Sequence, residues 1–432
     1  MFQKNHENMR KIIILILLFY QTLSAQTIDK ITLEECYRMA QEAFPLAKQK
    51  ELIRQTNALT VNTLQKFYLP QIELNAQATY QSEVTQFPVK LPNIEVIPLS
   101  KDQYKTTLDA KQLIWDGGAI NLQKNVLKSQ ADVEMQKVEV ETNKLKERVN
   151  QLYFSVLQID ENAKLIDLLK SDIGARLKKV EGGIANGTAL KMTAQVLEAE
   201  NLKADQRLIE LSSMRSASIQ MLNQLLKKEL TDKTIFVRPQ AETPQSGIGL
   251  QINRPELKLY ELQKTQIDQT IKITSLRDFP RIYAFATAGY GRPGLNFLKN
   301  EFALYGIGGI TFKWNISNYY TKTLRNDLDI LRINQQSIDI QRDLFLTNTQ
   351  IQIKQQSADI TKWEQLLEKD KQIVDLRSKI KATAAVQLEN GVMTANDYLI
   401  ELNAESQARQ NLVLHELQLL NTQINLKTIT NN

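Results

Sequence analysis

Few side chains of this 432-residue sequence have the type and spacing for covalent chemistry. Gly289, Gly291 and Gly294 fit G-x-G-x-x-G, which cradles a dinucleotide pyrophosphate when it follows a strand and opens a helix. Pro293 interrupts the motif and another strand-like run follows it, so these glycines read as a hairpin turn. His6 falls in an N-terminal leader, and His415 stands alone on the last helical stretch, where it reads as a satisfied surface residue. Cys36 is the only cysteine, which excludes an intramolecular disulfide and leaves a small buried hydrophobe of the first helix. No catalytic, metal or cofactor site is expected, and therefore no enzyme. The formal charge of +6 includes Lys4, Arg10 and Lys11 against Glu7 in the leader, and what remains is too dispersed for a nucleic-acid partner.

The elements that must hold whatever function exists are laid out twice. Pro70-x-Ile72-x-x-x-Ala76-x-Ala78-x-Tyr80 returns 210 positions later as Pro280-x-Ile282-x-x-x-Ala286-x-Ala288-x-Tyr290. The same offset carries Pro45, Lys48, Glu51 and Leu52 onto Pro255, Lys258, Glu261 and Leu262, so the chain is a tandem duplication. In the first copy Ile72, Leu74, Ala76, Ala78 and Tyr80 alternate with Gln71, Glu73, Asn75, Gln77 and Thr79, the period of a strand with one greasy face and one polar face. Tyr104 to Trp115 is a less strict partner strand, joined to it by a long loop containing Pro88, Pro92 and Pro98.

The rest reads as helix. Fifteen glycines are about half the usual ~7% and imply few turns. From Leu145 through Val149, Leu152, Val156, Ile159, Ala163, Ile166, Lys170, Ile173, Leu177 and Val180 to Ile184 the steps alternate between four and three, a coiled-coil pattern in which only Lys170 is not apolar. Thr32 and Glu35 predict a capping box, Phe44-Pro45 a helix end, and Asn186-Gly187 and Asn390-Gly391 the breaks between a long helix and a return helix in each copy. Leader residues Lys4, Arg10 and Lys11 precede nine apolar residues, Ile12 to Tyr20, and Leu23-Ser24-Ala25 offers a cleavage site; this is a secretory signal, too short for the roughly 20 residues that span a bilayer. The expected division is a signal over 1–25, first-copy N-terminal helices over 26–67, a first strand pair over 68–117 and long and return helices over 118–230. A linker over 231–252 follows, then an N-terminal helix over 253–279, a second strand pair over 280–317, long and return helices over 318–428 and a tail over 429–432.

The strands carry the membrane question. Phe302, Leu304, Ile310, Phe312, Trp314 and Ile316 share one face of the last strand, and Tyr80, Tyr104, Trp115, Tyr290 and Trp314 fall near strand ends, where an aromatic girdle belongs. Ile72, Leu74, Tyr80, Ile282, Tyr290, Phe312 and Trp314 are the residues expected to face lipid; the alternative is a small sheet packed on a soluble core. Four strands cannot close a barrel and every edge in lipid must be paired, so three chains supplying twelve strands are expected. The fold class is thus mainly α with a small β part: a tandem-repeat coiled-coil barrel of long helices plus four transmembrane strands per chain.

From Thr32 to about Leu426 the chain resembles the TolC-like outer-membrane efflux family. The resemblance rests on Thr32-Leu33-Glu34-Glu35 leading through Ala40 and Pro45, on Leu69-Pro70-Gln71-Ile72, and on the Asn-Gly breaks. It implies a homotrimer with a 12-stranded barrel in the outer membrane of a Gram-negative-type cell and a helical tunnel through the periplasm. It further implies a passive exit duct for a proton-driven or ATP-driven inner-membrane pump, linked by a periplasmic adaptor. Asn186, Gly187, Thr188, Asn390, Gly391 and Val392 then match the periplasmic tip where the adaptor docks, although they also read as plain helix caps. Asp397 matches an acidic position near the pore mouth and reads equally as a first-turn carboxylate on a helix dipole. Ile400 stands where that pattern has a second acid, and Thr193 holds the first-copy position matching Asp397, so a charged constriction would come from the second copy alone. The competing function class is a soluble periplasmic coiled-coil scaffold or adaptor.

Overall fold

The computed structural model describes residues 30–85, 98–240 and 251–431. The secretory signal, Pro88 and Pro92 of the first hairpin loop, and Pro244 and Gly247 of the linker lie outside the described residues. The chain divides into two compact units, each drawn from separated stretches.

The helices repeat in length although their sequences have diverged. α2 (Pro45–Gln65) and α5 (Pro255–Ser275) have 21 residues each, α3 (Ala119–Ala185) and α7 (Thr323–Glu389) have 67, and α4 (Lys191–Leu226) and α8 (Ala395–Thr430) have 36, while a four-residue α6 (Asn318–Thr321) precedes α7. α8 runs through Thr430, with Thr428, Ile429 and Thr430 buried, and so extends into the segment read as a tail. α1 (Leu33–Ala43) opens on the expected capping box: Glu35 N donates to Thr32 Oγ1 at 3.2 Å, and Thr32 N donates to Glu35 Oε2 at 2.9 Å. It ends at Phe44, held extended by Pro45, which then occupies the first helical position of α2, where no amide is needed.

The first unit comprises residues up to Ala47, Glu141–Arg254 and Thr349–Asn432. Its main core gathers Leu33, Cys36 and Ala40 of α1, Val149, Tyr153 and Val156 of α3, Leu222 and Leu226 of α4, and Leu417 and Leu420 of α8. A two-residue parallel pairing of β1 (Lys30–Ile31) with β4 (Ile235–Phe236) closes it. The buried Tyr153 hydroxyl lies 2.9 Å from Ile31 O and 2.6 Å from Val237 O, so it bridges the two short strands. Cys36 is fully buried here, and burial pushes its thiol pKa up to about 12, which leaves it inert as a nucleophile. Most of the heptad residues of α3 face a core, and Lys170, the exception in the pattern, pairs with Asp205 of α4.

The second unit comprises Lys48–Val140 and Pro255–Asn348 and carries one antiparallel sheet in the order β2-β3-β5-β6. The strands are β2 (Gln71–Tyr80), β3 (Asp102–Trp115), β5 (Arg281–Arg292) and β6 (Ala303–Lys313), long enough for the roughly 9–11 residues that cross a bilayer at a tilt. One expectation fails. Gly289 and Gly291 are strand residues of β5, not turn residues, and neither has a positive φ. They are glycines for space: a Cβ on Gly289 would lie 2.2 Å from the Tyr305 ring, and one on Gly291 would lie 2.5 Å from Tyr104 O. Only Pro293 and Gly294 of that motif leave the strand.

Candidate functional site

Register gathers apolar residues from all four strands on one face, because residues directly opposite in an antiparallel pair project to the same side. Leu74 lies opposite Leu108 and Ile72 opposite Ala110; Tyr290 lies opposite both Thr106 and Leu304, and Ile282 opposite Phe312. Of the residues expected to face lipid, Ile72, Leu74, Tyr80, Ile282, Tyr290 and Phe312 therefore share this face. Trp314 sits one residue past β6 with its ring edge-on to Phe312 at 6.5 Å. The face is bare rather than packed on a core: Leu74 is 74% exposed, Leu304 82% and Ile310 76%. Trp115 reaches it through an irregularity that alternation cannot foresee. Leu113 pairs with Tyr283 while Trp115 pairs with Ile282, so a bulge at Ile114 shifts the register by one residue and turns Trp115 onto the apolar face.

The opposite face carries the charged and hydroxyl side chains, with Leu113, Phe285 and Ile307 among them, and is cross-linked. The Asp109 carboxylate accepts from Asn75 Nδ2 at 2.9 Å, Thr107 Oγ1 at 2.7 Å and Thr287 Oγ1 at 2.5 Å, joining β2, β3 and β5 through one side chain. Glu73, Lys105, Lys111 and Lys313 project to the same side, and Lys111 Nζ stands 4.6 Å above the Tyr283 ring. Tyr305 lies over Gly289 and Phe285 over Gly309, so two rings lie flat against the backbone where a Cβ would lift them. β2 and β6 are the sheet's edges.

In the other unit the two helix breaks have the same geometry. Thr188 N donates to Gly183 O at 2.8 Å and Gly187 N to Ile184 O at 3.1 Å; Val392 N donates to Gln387 O at 2.9 Å and Gly391 N to Leu388 O at 3.1 Å. Gly187 at φ 71° and Gly391 at φ 69° supply the left-handed residue of this helix-ending motif. The return helices then start differently. Thr394 caps α8, accepting from Asp397 N at 3.2 Å and donating to Asp397 Oδ2 at 2.6 Å, whereas Leu190 gives α4 no side-chain cap. Asp397 is thus an exposed capping partner, with Ile400 exposed one turn on and Thr193 half-buried in the first copy.

Beside these breaks lies a cluster that no spacing in the sequence announces. Tyr398 is 1% exposed, packed with Ile173, Leu197, Ala384, Ala385 and Leu402. The Arg176 guanidinium stands 5.6 Å from its ring centre and also pairs with Glu389, which Lys179 reaches at 2.7 Å. Lysine hydrogen bonding, with Arg176 behind it, holds the Glu389 carboxyl below the usual carboxylate range. Lys381 bridges Asp172 at 2.8 Å and the buried Glu405 at 3.6 Å; burial alone would depress its amine, but those acids and Tyr398 outweigh it and hold it above the ordinary lysine value. Arg377 meets Glu401 at 3.0 Å. These pairs tie α7 to α3 on one side and to α8 on the other. The only hint in the sequence is that Arg176 and Lys179 sit three apart on one helix face. His415 is half-buried, not a surface residue, with Nδ1 2.5 Å from Asp370 Oδ2 and its ring 5.3 Å from Trp363.

Among the described residues no group of three or more His, Cys, Asp or Glu is placed to hold a metal ion, and no helix is long and apolar enough to cross a membrane. No family model matches the sequence, and a search of curated proteins finds no match. Solved structures do match over most of the chain. The outer membrane protein VceC of Vibrio cholerae is 14% identical, with a TM-score of 0.66 over 92% of this chain and 95% of that one. CusC, described for conformational changes that accompany folding and transmembrane channel formation, is 13% identical with a TM-score of 0.69 over 92% and 91%. The MtrE outer membrane channel of Neisseria gonorrhoeae, in its open state, is 14% identical with a TM-score of 0.64 over 92% and 88%. The chain therefore has the fold of these outer-membrane proteins.

Proposed function

We propose that this chain is an outer-membrane exit duct, a passive conduit of the TolC-like kind. The observation that carries the reading is the sheet: one continuous, exposed apolar face, one polar face, and two edge strands that lipid would not tolerate unpaired. A packing module of a soluble scaffold would bury that apolar face. Three copies joined edge to edge, β6 of one against β2 of the next, give a closed barrel with the polar face as its lumen. Ile330, Ile333, Ile340 and Leu344, all exposed at heptad spacing on α7, supply the apolar seam that neighbouring copies would cover.

In this reading the breaks at Asn186, Gly187, Thr188 and Asn390, Gly391, Val392 form the docking tip for a periplasmic adaptor coupled to an inner-membrane pump. Asp397, Ile400 and Thr193 lie at the mouth. The Arg176, Lys179, Glu389 and Tyr398 cluster holds the return helices closed. An adaptor that binds the splayed arrangement better shifts the population toward it by no more than its difference in affinity for the two states. The test is fractionation followed by mass measurement of the detergent-solubilised particle. A detergent-requiring trimer is expected; recovery in the soluble periplasm without detergent would overturn the duct.

A further inference from the structure

In the strand-bearing unit a cavity of about 500 Å³ opens between the end of α5 and the start of α7. Phe279 and Tyr319 give it aromatic walls, Lys322, Arg325 and Arg332 give it three cations, and Asp278 is the one carboxylate in its lining. The acids close by cancel only part of this charge. Arg332 is paired with Asp329 at 2.8 Å, Arg325 is only loosely associated with it at 4.0 Å, and Lys322 makes no ion pair among the described residues.

Its side of the sheet is fixed by an aromatic file. Phe312, the last large apolar residue of β6, meets Trp314 edge-on at 6.5 Å, and Trp314 meets Tyr319 edge-on at 6.2 Å. Tyr319 lines the cavity, and the neighbouring Tyr320 is 76% exposed. The file thus runs from the apolar face, past the strand end, to the cations: apolar residues, then aromatics, then positive charge, the order found from a bilayer's core to its headgroups.

Comparison of the two copies singles out Lys322. α3 and α7 are equal in length, and the residue directly before each is left-handed: Gly118 at φ 89° and Lys322 at φ 55°. Glycine takes that conformation freely, whereas a side chain there is disfavoured. The second copy carries a lysine at a backbone position that favours glycine, in the lining of a cavity that also holds Arg325 and Arg332.

We infer that this cavity binds the phosphate of an anionic glycerophospholipid, with Lys322 and Arg325 as its cations and the acyl chains lying along Trp314 and Phe312. The inference rests on the membrane reading above. The test is native mass spectrometry of the full-length protein in detergent, titrated with dioleoylphosphatidylglycerol, after the need for detergent and the oligomer mass have been established. Lys322→Gly and Arg325→Gln should each weaken lipid binding about fivefold, the factor for roughly 1 kcal/mol per cation at a lipid surface. Lys322→Gly should at the same time be at least as heat-resistant as the parent, since glycine suits the backbone, so its loss of lipid is not loss of fold. Lys299→Gln, in the β5–β6 loop and outside the cavity lining, should bind as the parent does. Unchanged binding in both cavity variants, or equal loss in Lys299→Gln, overturns the site. Displacement of the lipid by excess inorganic phosphate overturns the lipid in favour of a free anion. Protein recovered without detergent would instead sink the membrane reading, and the same titration would still judge the cavity.

Discussion

Replacing Tyr398 by alanine should loosen the helix-break end of its unit far more than any change to the exposed residues around it. The ring is 1% exposed and packs on Ile173, Leu197 and Leu402, and Arg176 reaches both its face and its hydroxyl. Truncating a buried aromatic residue to alanine costs about 3–5 kcal/mol, and the low end applies where small neighbours such as Ala384 and Ala385 let the site collapse. A loss of about 3 kcal/mol in the local opening free energy speeds amide exchange by roughly 150-fold, since each 1.36 kcal/mol is tenfold. Hydrogen exchange read by mass spectrometry over peptides covering 384–405 measures this directly. Tyr398→Phe keeps the ring and loses only the hydroxyl's bond, worth about 0.5–1.5 kcal/mol, so its exchange should rise only about two- to twelvefold. If the proposed duct reading holds, the same alanine variant should raise the open probability of the reconstituted protein in planar bilayers. The reasoning is refuted if Tyr398→Ala exchanges no faster than Tyr398→Phe, because the buried ring would then not be what holds α8 against α3 and α7.

Four further outcomes are expected. Gly391→Ala and Gly187→Ala should each lose about 1–2 kcal/mol from the adjoining turn, seen as faster local exchange; no atom lies within 4 Å of either added Cβ, so the cost is conformational, and Gly391→Asn should recover much of it. Deleting Ile114 removes the bulge and leaves Trp115 directly after Leu113 and still opposite Ile282 on the apolar face, so in a protein with Trp314 and Trp363 replaced by Phe, brominated lipid should quench Trp115 both before and after the deletion; loss of quenching after it would refute the bulge at Ile114. Glu389 has a folded pKa depressed below 4.5, so its stabilising contribution is complete above that value and is lost as pH falls through the lower folded value. Protection of the 384–405 peptides should therefore differ between Glu389→Gln and the parent at neutral pH and converge in strong acid. Asp397→Ala should lower cation selectivity and fray the first turn of α8; if conductance and selectivity are both unchanged, the constriction role fails while the cap at Thr394 stands.

The amphipathic alternation from Gln71 to Tyr80, the capping box at Thr32, the stop at Phe44-Pro45 and the long-helix breaks were all legible in the sequence, because each depends on residues a few positions apart. Duplication was legible too, and the equal helix lengths show that insertions and deletions have spared the helices. What was misread shares one cause. Gly289 and Gly291 looked like turn residues because local chemistry makes glycine a turn former, yet they answer to Tyr305 and Tyr104 on neighbouring strands. His415 looked solitary because its partner, Asp370, is on another helix.

The period of each segment, its caps and stops, and hence which stretches become helix or strand, are written locally along the chain, since those choices follow from backbone preferences over one or two turns. Which face Trp115 joins, which acid pairs with Arg176 and what the Asp109 carboxylate holds together are settled by the folded arrangement. Register across strands and pairing between helices bring together groups far apart along the chain, here 213 residues between Arg176 and Glu389, and nothing local to either residue encodes its partner.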